Sequence, residues 1–177
     1  MKETMKTMLQ ETIKTWVAED IYAISMWLQY DNYNPCKPVV IVGYNTEEQY
    51  QKSLSETDER EARWNFAFWL QNEEMCFGVD ETAKAVRQWI ISNGYSVFED
   101  DDDVEDVQCE AMERFIENTL IEIVKEIHQE KILTKQFGKE LPIIIHELEY
   151  YDKIAENNIE ANGDILDEEF VNYCIEG

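Results

Sequence analysis

Two histidines, six glycines, three prolines and four cysteines make a thin supply of the residues that carry chemistry or break a chain of 177 residues. With only His128 and His146, a histidine-centred metal site or nucleophile triad has little material to work with. There is no P-loop, no dinucleotide glycine pattern, no G-x-S-x-G elbow and no H-E-x-x-H. Cys36, Cys76, Cys109 and Cys174 lie far apart and form no C-x-x-C pair, which leaves a zinc knuckle or redox motif without support. They read as reduced thiols. No apolar stretch approaches the length of a membrane span, and Met1-Lys2-Glu3-Thr4-Met5-Lys6 leads into acids and lysines rather than a signal core. The expectation is a cytoplasmic protein with no cofactor, no metal and no catalytic residue.

Positive charge is also scarce. Fifteen Lys and Arg stand against thirty-nine Asp and Glu, a formal charge of −24. Such a chain repels nucleic-acid phosphates and anionic lipid surfaces. The same field attracts a basic protein and speeds its docking. Solubility is the plainer reading of that acidity, and partner steering stands beside it. What the chain has in quantity is apolar bulk, 44% of its residues with 12% aromatic, spread without a long polar gap. That suffices for one hydrophobic core and points to one domain.

Met5, Leu9, Ile13, Trp16 and Val17 recur at helical spacing and predict an amphipathic N-terminal helix. Ile21 to Leu28 is an aromatic and β-branched run, and Pro38 to Tyr44 is another after the turn chemistry of Asp31-Asn32-Tyr33-Asn34-Pro35, so the two predict a hairpin. Asn45 is placed to cap a helix over residues 46–55, with Glu48 reaching back. Trp64, Phe66 and Phe68 alternate and favour a strand, although Trp69 and Leu70 leave a bend or short helix open. Asp80 is placed to cap a helix striped by Ala83, Val86, Trp89 and Ile90 and stopped at Asn93-Gly94. The longest periodic element stacks Val107, Ala111, Met112, Phe115, Ile116, Leu120, Ile123, Val124 and Ile127 on one face, with Glu110, Glu113, Glu117 and Lys125 opposite. Leu141 to Leu148 reads as a strand, and Asp164 is placed to cap a last helix carrying Leu166, Phe170, Val171 and Cys174. The fold class expected is α+β, a single domain over residues 1–177. Its sheet is expected to be largely antiparallel, of about four to five strands from the Ile21, Val39, Trp64 and Leu141 regions, flanked by helices.

Seven of the eight residues from Glu99 to Asp106 are acids, interrupted by Val104. Glu99, Asp100, Asp101, Asp102, Asp103, Glu105 and Asp106 are therefore the candidate partner-binding residues. The run precedes the long helix, where the positive end of the dipole gives part of it a local stabilising role. It reads as a solvated loop, as a docking surface for a basic partner, or as a calcium site that lacks the spaced ligands and turn glycine of an EF-hand. Elsewhere, among thirty-nine acids no carboxylate pair stands out in an apolar setting. His128 suits the negative end of the long helix. His146 reads as a satisfied core or edge histidine, with a general base as the functional alternative. Trp27, Trp64, Trp69 and Trp89 read as core.

Asp20-Ile21-Tyr22-Ala23-Ile24-Ser25, Val42-Gly43-Tyr44-Asn45-Thr46-Glu47-Glu48, Ala62-Arg63-Trp64-Asn65 and Leu141-Pro142-Ile143-Ile144-Ile145-His146-Glu147-Leu148-Glu149-Tyr150 together resemble a mainly bacterial family catalogued as domain of unknown function 4303. The resemblance runs from residue 5 to about 173. It implies a mixed α and β fold in a single-domain protein, and its members in some cases lie near contact-dependent toxin and immunity loci. The family has no established activity and no agreed catalytic or binding residues to carry over.

Three functions are consistent with these observations. One is a non-catalytic protein-binding domain, in concrete form an immunity-type protein neutralising a basic, nuclease-like toxin. Another is an enzyme whose carboxylates converge in a pocket near Leu141 to Leu148, with His146 or Glu147 as proton carrier. The third is a structural or oligomer-forming module, which predicts an exposed apolar patch.

Overall fold

The computed structural model describes residues 1–17, 19–98 and 106–176. Of the candidate acids, Glu99, Asp100, Asp101, Asp102, Asp103 and Glu105 lie outside the described residues, and Asp106 opens a helix. The described chain is an α+β domain with eight α-helices and one four-stranded sheet. The helices are α1 (Lys2–Thr15), α2 (Glu47–Ser53), α3 (Glu59–Trp64), α4 (Asp80–Ser92), α5 (Asp106–Gln129), α6 (Ile132–Phe137), α7 (Asp152–Asn162) and α8 (Glu168–Glu176). The strands are β1 (Ile21–Tyr30), β2 (Pro38–Thr46), β3 (Met75–Phe77) and β4 (Ile143–His146), in the order β3-β2-β1-β4.

The sheet is mixed rather than largely antiparallel. The expected hairpin forms between β1 and β2, and β3 adds antiparallel to β2, but β4 lies parallel to β1 with Ser25 opposite Ile144. An unbroken run such as Ile143-Ile144-Ile145 suits a strand buried on both faces, the usual condition of parallel pairing. The Trp64 region supplies no strand. Trp64 ends α3, and Phe66–Phe68 is a 3₁₀ turn whose backbone Asn65 caps through its side chain. Trp64 and Trp69 pack in the core on one face of the sheet with Phe66 beside them, and the strand itself is Met75–Phe77 further on.

Each face of the sheet is covered. Ile24, Met26 and Leu28 of β1, Val40 and Val42 of β2, and Ile143 and Ile145 of β4 pack on Leu9 and Ile13 of α1, Ile90 of α4 and Met112 to Ile127 of α5. A bulge between Ile21 and Ala23 lets Tyr22 and Ala23 join the opposite face, where Trp64, Trp69, Ile144, Ile154, Phe170 and Tyr173 form a second core. Val107 is 71% exposed and Ala111 is exposed, so the apolar stripe of α5 begins only at Met112. Glu117, expected on the polar side, is buried. It falls four residues before Ile121 and seven before Val124, on a second inward stripe.

Three expected caps also move by a residue or more. Thr46 caps α2, accepting from Gln49 N–H, while Asn45 is buried, donating to Tyr22 Oη and accepting from Leu70 N–H. Asp80 is the first residue of α4, at φ +46°, and Val79 precedes it without a side-chain cap. Asp167 rather than Asp164 accepts from the start of α8, through Glu169 N–H.

Helix α7 runs beside the outer edge of β4. Asn158 Oδ1 accepts from Ile145 N–H at 2.8 Å, and its Nδ2 donates to Ile145 O at 2.7 Å. One turn on, Asn162 Oδ1 accepts from Ile143 N–H at 2.8 Å and its Nδ2 donates to Ile143 O at 3.0 Å. Two side-chain amides at i and i+4 thus complete the backbone pairing of an edge strand.

Candidate functional site

Because β1 and β4 are parallel, their carboxyl ends emerge together, the place where open sheets with parallel strands form crevices. A cleft of about 430 Å³ opens there. Its walls are the end of β1 from Trp27 to Tyr30, the turn residue Tyr33, and Glu147, Leu148, Glu149 and Tyr151 after β4. Tyr33 is 98% exposed, Leu148 68% and Tyr151 39%, so the cleft presents aromatic and aliphatic surface to solvent. Asn32 and Tyr33 both take left-handed backbone, with φ of +52° and +57°. For a non-glycine residue that conformation costs about 1–2 kcal/mol, and here it holds an aromatic ring outward at the rim.

Behind this wall the carboxylates converge. Glu147 accepts from Tyr151 Oη at 3.3 Å. Burial, with the Glu117 charge adding to it, pushes the Glu147 carboxyl above its ordinary range. Glu113 on α5 is pushed up likewise, by burial and then by the negative charges of Glu147, Glu117 and Glu110, against the opposing pull of Lys153. Glu117 itself is paired with Lys153 Nζ at 2.7 Å. Tyr30 has its hydroxyl wholly buried beside this group, with no hydrogen-bond partner. Burial first, then the Glu113, Glu117 and Glu147 charges, raise its ionisation far above the ordinary phenol value. The arrangement is a dry-backed, electronegative cleft whose charge is only partly answered by Lys153.

His146 stands next to Glu147 in sequence but not in the cleft. It is wholly buried, with the Phe66 ring centroid 4.7 Å from its own. Its Nδ1 lies 2.8 Å from Glu147 O, so Nδ1 carries the hydrogen and Nε2 accepts from the Ser25 hydroxyl at 2.7 Å. Burial holds it down to about 4, and at neutral pH it is a neutral bridge between β4 and β1. His128 bridges Glu140 and Asn162, 3.1 Å from each, tying the end of α5 to α7. Trp64 and Trp69 are core as expected, while Trp89 is half-buried and half-buried Trp27 lines the cleft. Among the described residues no group of three or more His, Cys, Asp or Glu is arranged to hold a metal ion.

Of the residues singled out from sequence as possible actors, only Glu147 reaches this site. Tyr30, Tyr33, Glu113, Glu117, Tyr151 and Lys153 were not among them. The signal for Glu117 is an acid in an apolar phase of α5. Comparison with known protein families, curated proteins and solved structures finds no match to the chain.

Proposed function

We propose that this domain is a protein-binding module that captures a basic protein through the cleft at the carboxyl ends of β1 and β4. The observation that carries the proposal is the pairing, in one concavity, of exposed Tyr33, Leu148 and Tyr151 with the Glu147 carboxylate, whose charge is reinforced from behind by Glu117. Aromatic anchors beside desolvated charge are the usual make-up of a binding hot spot. The acids elsewhere in the sequence, with the run Glu99 to Asp106 as the densest, supply long-range attraction. In concrete form this is an immunity-type protein that blocks a cationic, nuclease-like toxin, the role implied by the resemblance to the domain of unknown function 4303 family. The encounter is set in the cytoplasm. No disulfide joins the four cysteines, and no helix among the described residues is long and apolar enough to cross a membrane.

The test is titration of this protein into a basic nuclease domain encoded beside its gene, following nuclease activity and complex formation. Stoichiometric inhibition that weakens with added salt is expected. A nuclease unaffected by a large molar excess overturns the reading. The two acidic regions separate kinetically. Neutralising Glu99 to Asp106 slows association, whereas Glu147→Gln and Tyr33→Ala speed dissociation.

A further inference from the structure

The cleft is specific enough to name the group that enters it. We infer that the partner's anchor is an arginine side chain, its guanidinium stacked on Tyr33 or Tyr151 and hydrogen-bonded to Glu147. This rests on the protein-binding reading above and adds the chemistry of the contact.

One acceptor in the cleft is unfilled. Glu147 uses one carboxylate oxygen for Tyr151 Oη, and its other oxygen takes no hydrogen bond among the described residues. A donor arriving from outside satisfies it. The donor is cationic, because burial and then the Glu117 charge raise Glu147, burial and then the charges of Glu147, Glu117 and Glu110 raise Glu113, and the single ion pair of Glu117 with Lys153 leaves the group net negative. It is planar, because the exposed aromatic side chains of Tyr33 and Tyr151 line the cleft beside Glu147. Arginine offers five N–H donors in a fixed fork and stacks on aromatic faces, whereas the lysine ammonium is a compact, strongly hydrated point charge. The cleft of about 430 Å³ admits a side chain of that length. The outward-held Tyr33, at φ +57° and almost wholly exposed, is already in position for stacking.

The test uses three short Gly/Ser peptides that differ at one central residue: arginine, lysine, or citrulline, the neutral shape-mimic of arginine. Each is titrated into the full chain and followed by amide chemical shifts. The arginine peptide is expected to shift Tyr33, Leu148 and Tyr151, with the lysine peptide about tenfold weaker and the citrulline peptide without effect. Glu147→Gln is expected to weaken the arginine peptide at least tenfold and Tyr33→Ala severalfold. Glu81→Gln on α4 removes the same charge and leaves the affinity unchanged. Equal binding of arginine and lysine peptides overturns the inference, as does a Glu147→Gln protein that binds like wild type or shifts confined to other surfaces. Capture of a basic nuclease that survives Glu147→Gln and Tyr33→Ala refutes the anchor while leaving protein binding intact. A cleft that takes the arginine peptide in a protein that binds no basic domain refutes the function and leaves the anchor.

Discussion

Replacing Asn158 with leucine keeps nearly the same volume but removes the amide that serves the outer edge of β4. Ile145 is 2% exposed, so its N–H and C=O then face α7 with neither protein nor solvent to bond. Each buried, unsatisfied backbone group costs about 1–3 kcal/mol, and the added apolar burial of leucine returns part of that. The net expectation is a loss of about 3 kcal/mol, against a typical total stability of 5–15 kcal/mol for a domain. Urea denaturation followed by tryptophan fluorescence measures it, with the midpoint falling and the slope unchanged. Hydrogen exchange localises it. Ile24 N–H donates to Pro142 O, so even-numbered residues of β4 face β1 and odd-numbered ones face α7. The Ile145 amide is therefore expected to exchange about a hundredfold faster in the variant, and the Ile144 amide to change only as much as global stability does. A loss under about 1 kcal/mol, or an Ile145 amide as protected as that of Ile144, refutes the clamp.

Two further outcomes follow from the geometry. Gly43→Ala drives a methyl group into the carbonyl and side-chain oxygens of Asn72, whose Oδ1 also accepts from Tyr44 N–H, and is expected to cost about 2–3 kcal/mol in the same denaturation assay. His146 titrates near 4 folded against about 6.5 unfolded, so the unfolded chain binds the extra proton between those values. Its contribution is fully present above pH 6.5 and is lost as pH falls toward 4, on the order of 3 kcal/mol. His146→Asn flattens that part of the pH–stability curve, and an unchanged slope from pH 6.5 to 4 disproves the assignment.

Elements with a strong local period were legible in the sequence. Apolar spacing identified α1, α4 and the core of α5, and β-branched runs identified β1, β2 and β4. What was not legible lies in pairing and phase. No local pattern distinguishes a β4 that adds parallel from one that adds antiparallel, although the isoleucine run is a trace of it. The three residues of β3 are too few to show a period, and the alternation at Trp64, Phe66 and Phe68 falls on the end of a helix and a 3₁₀ turn rather than on extended backbone. Asn45 illustrates why the caps moved. Its side chain is held in the core by Tyr22 and Leu70, and Thr46 takes the capping role one residue later. The cleft was hidden by abundance, since Glu113, Glu117 and Glu147 are three acids among thirty-nine and come together only when α5 packs near β4.

The position of β1 also bears on how the chain is made. β1 meets β2 almost at once, but its other edge waits for β4, more than a hundred residues later in synthesis. At roughly 5–20 residues per second that wait is on the order of ten seconds, with Ile24, Met26 and Leu28 on a strand whose second edge is unpaired. An emerging hairpin of that kind pairs readily with others of its kind on neighbouring ribosomes. Acids are distributed along the whole intervening stretch, so growing chains repel one another while the edge stands open.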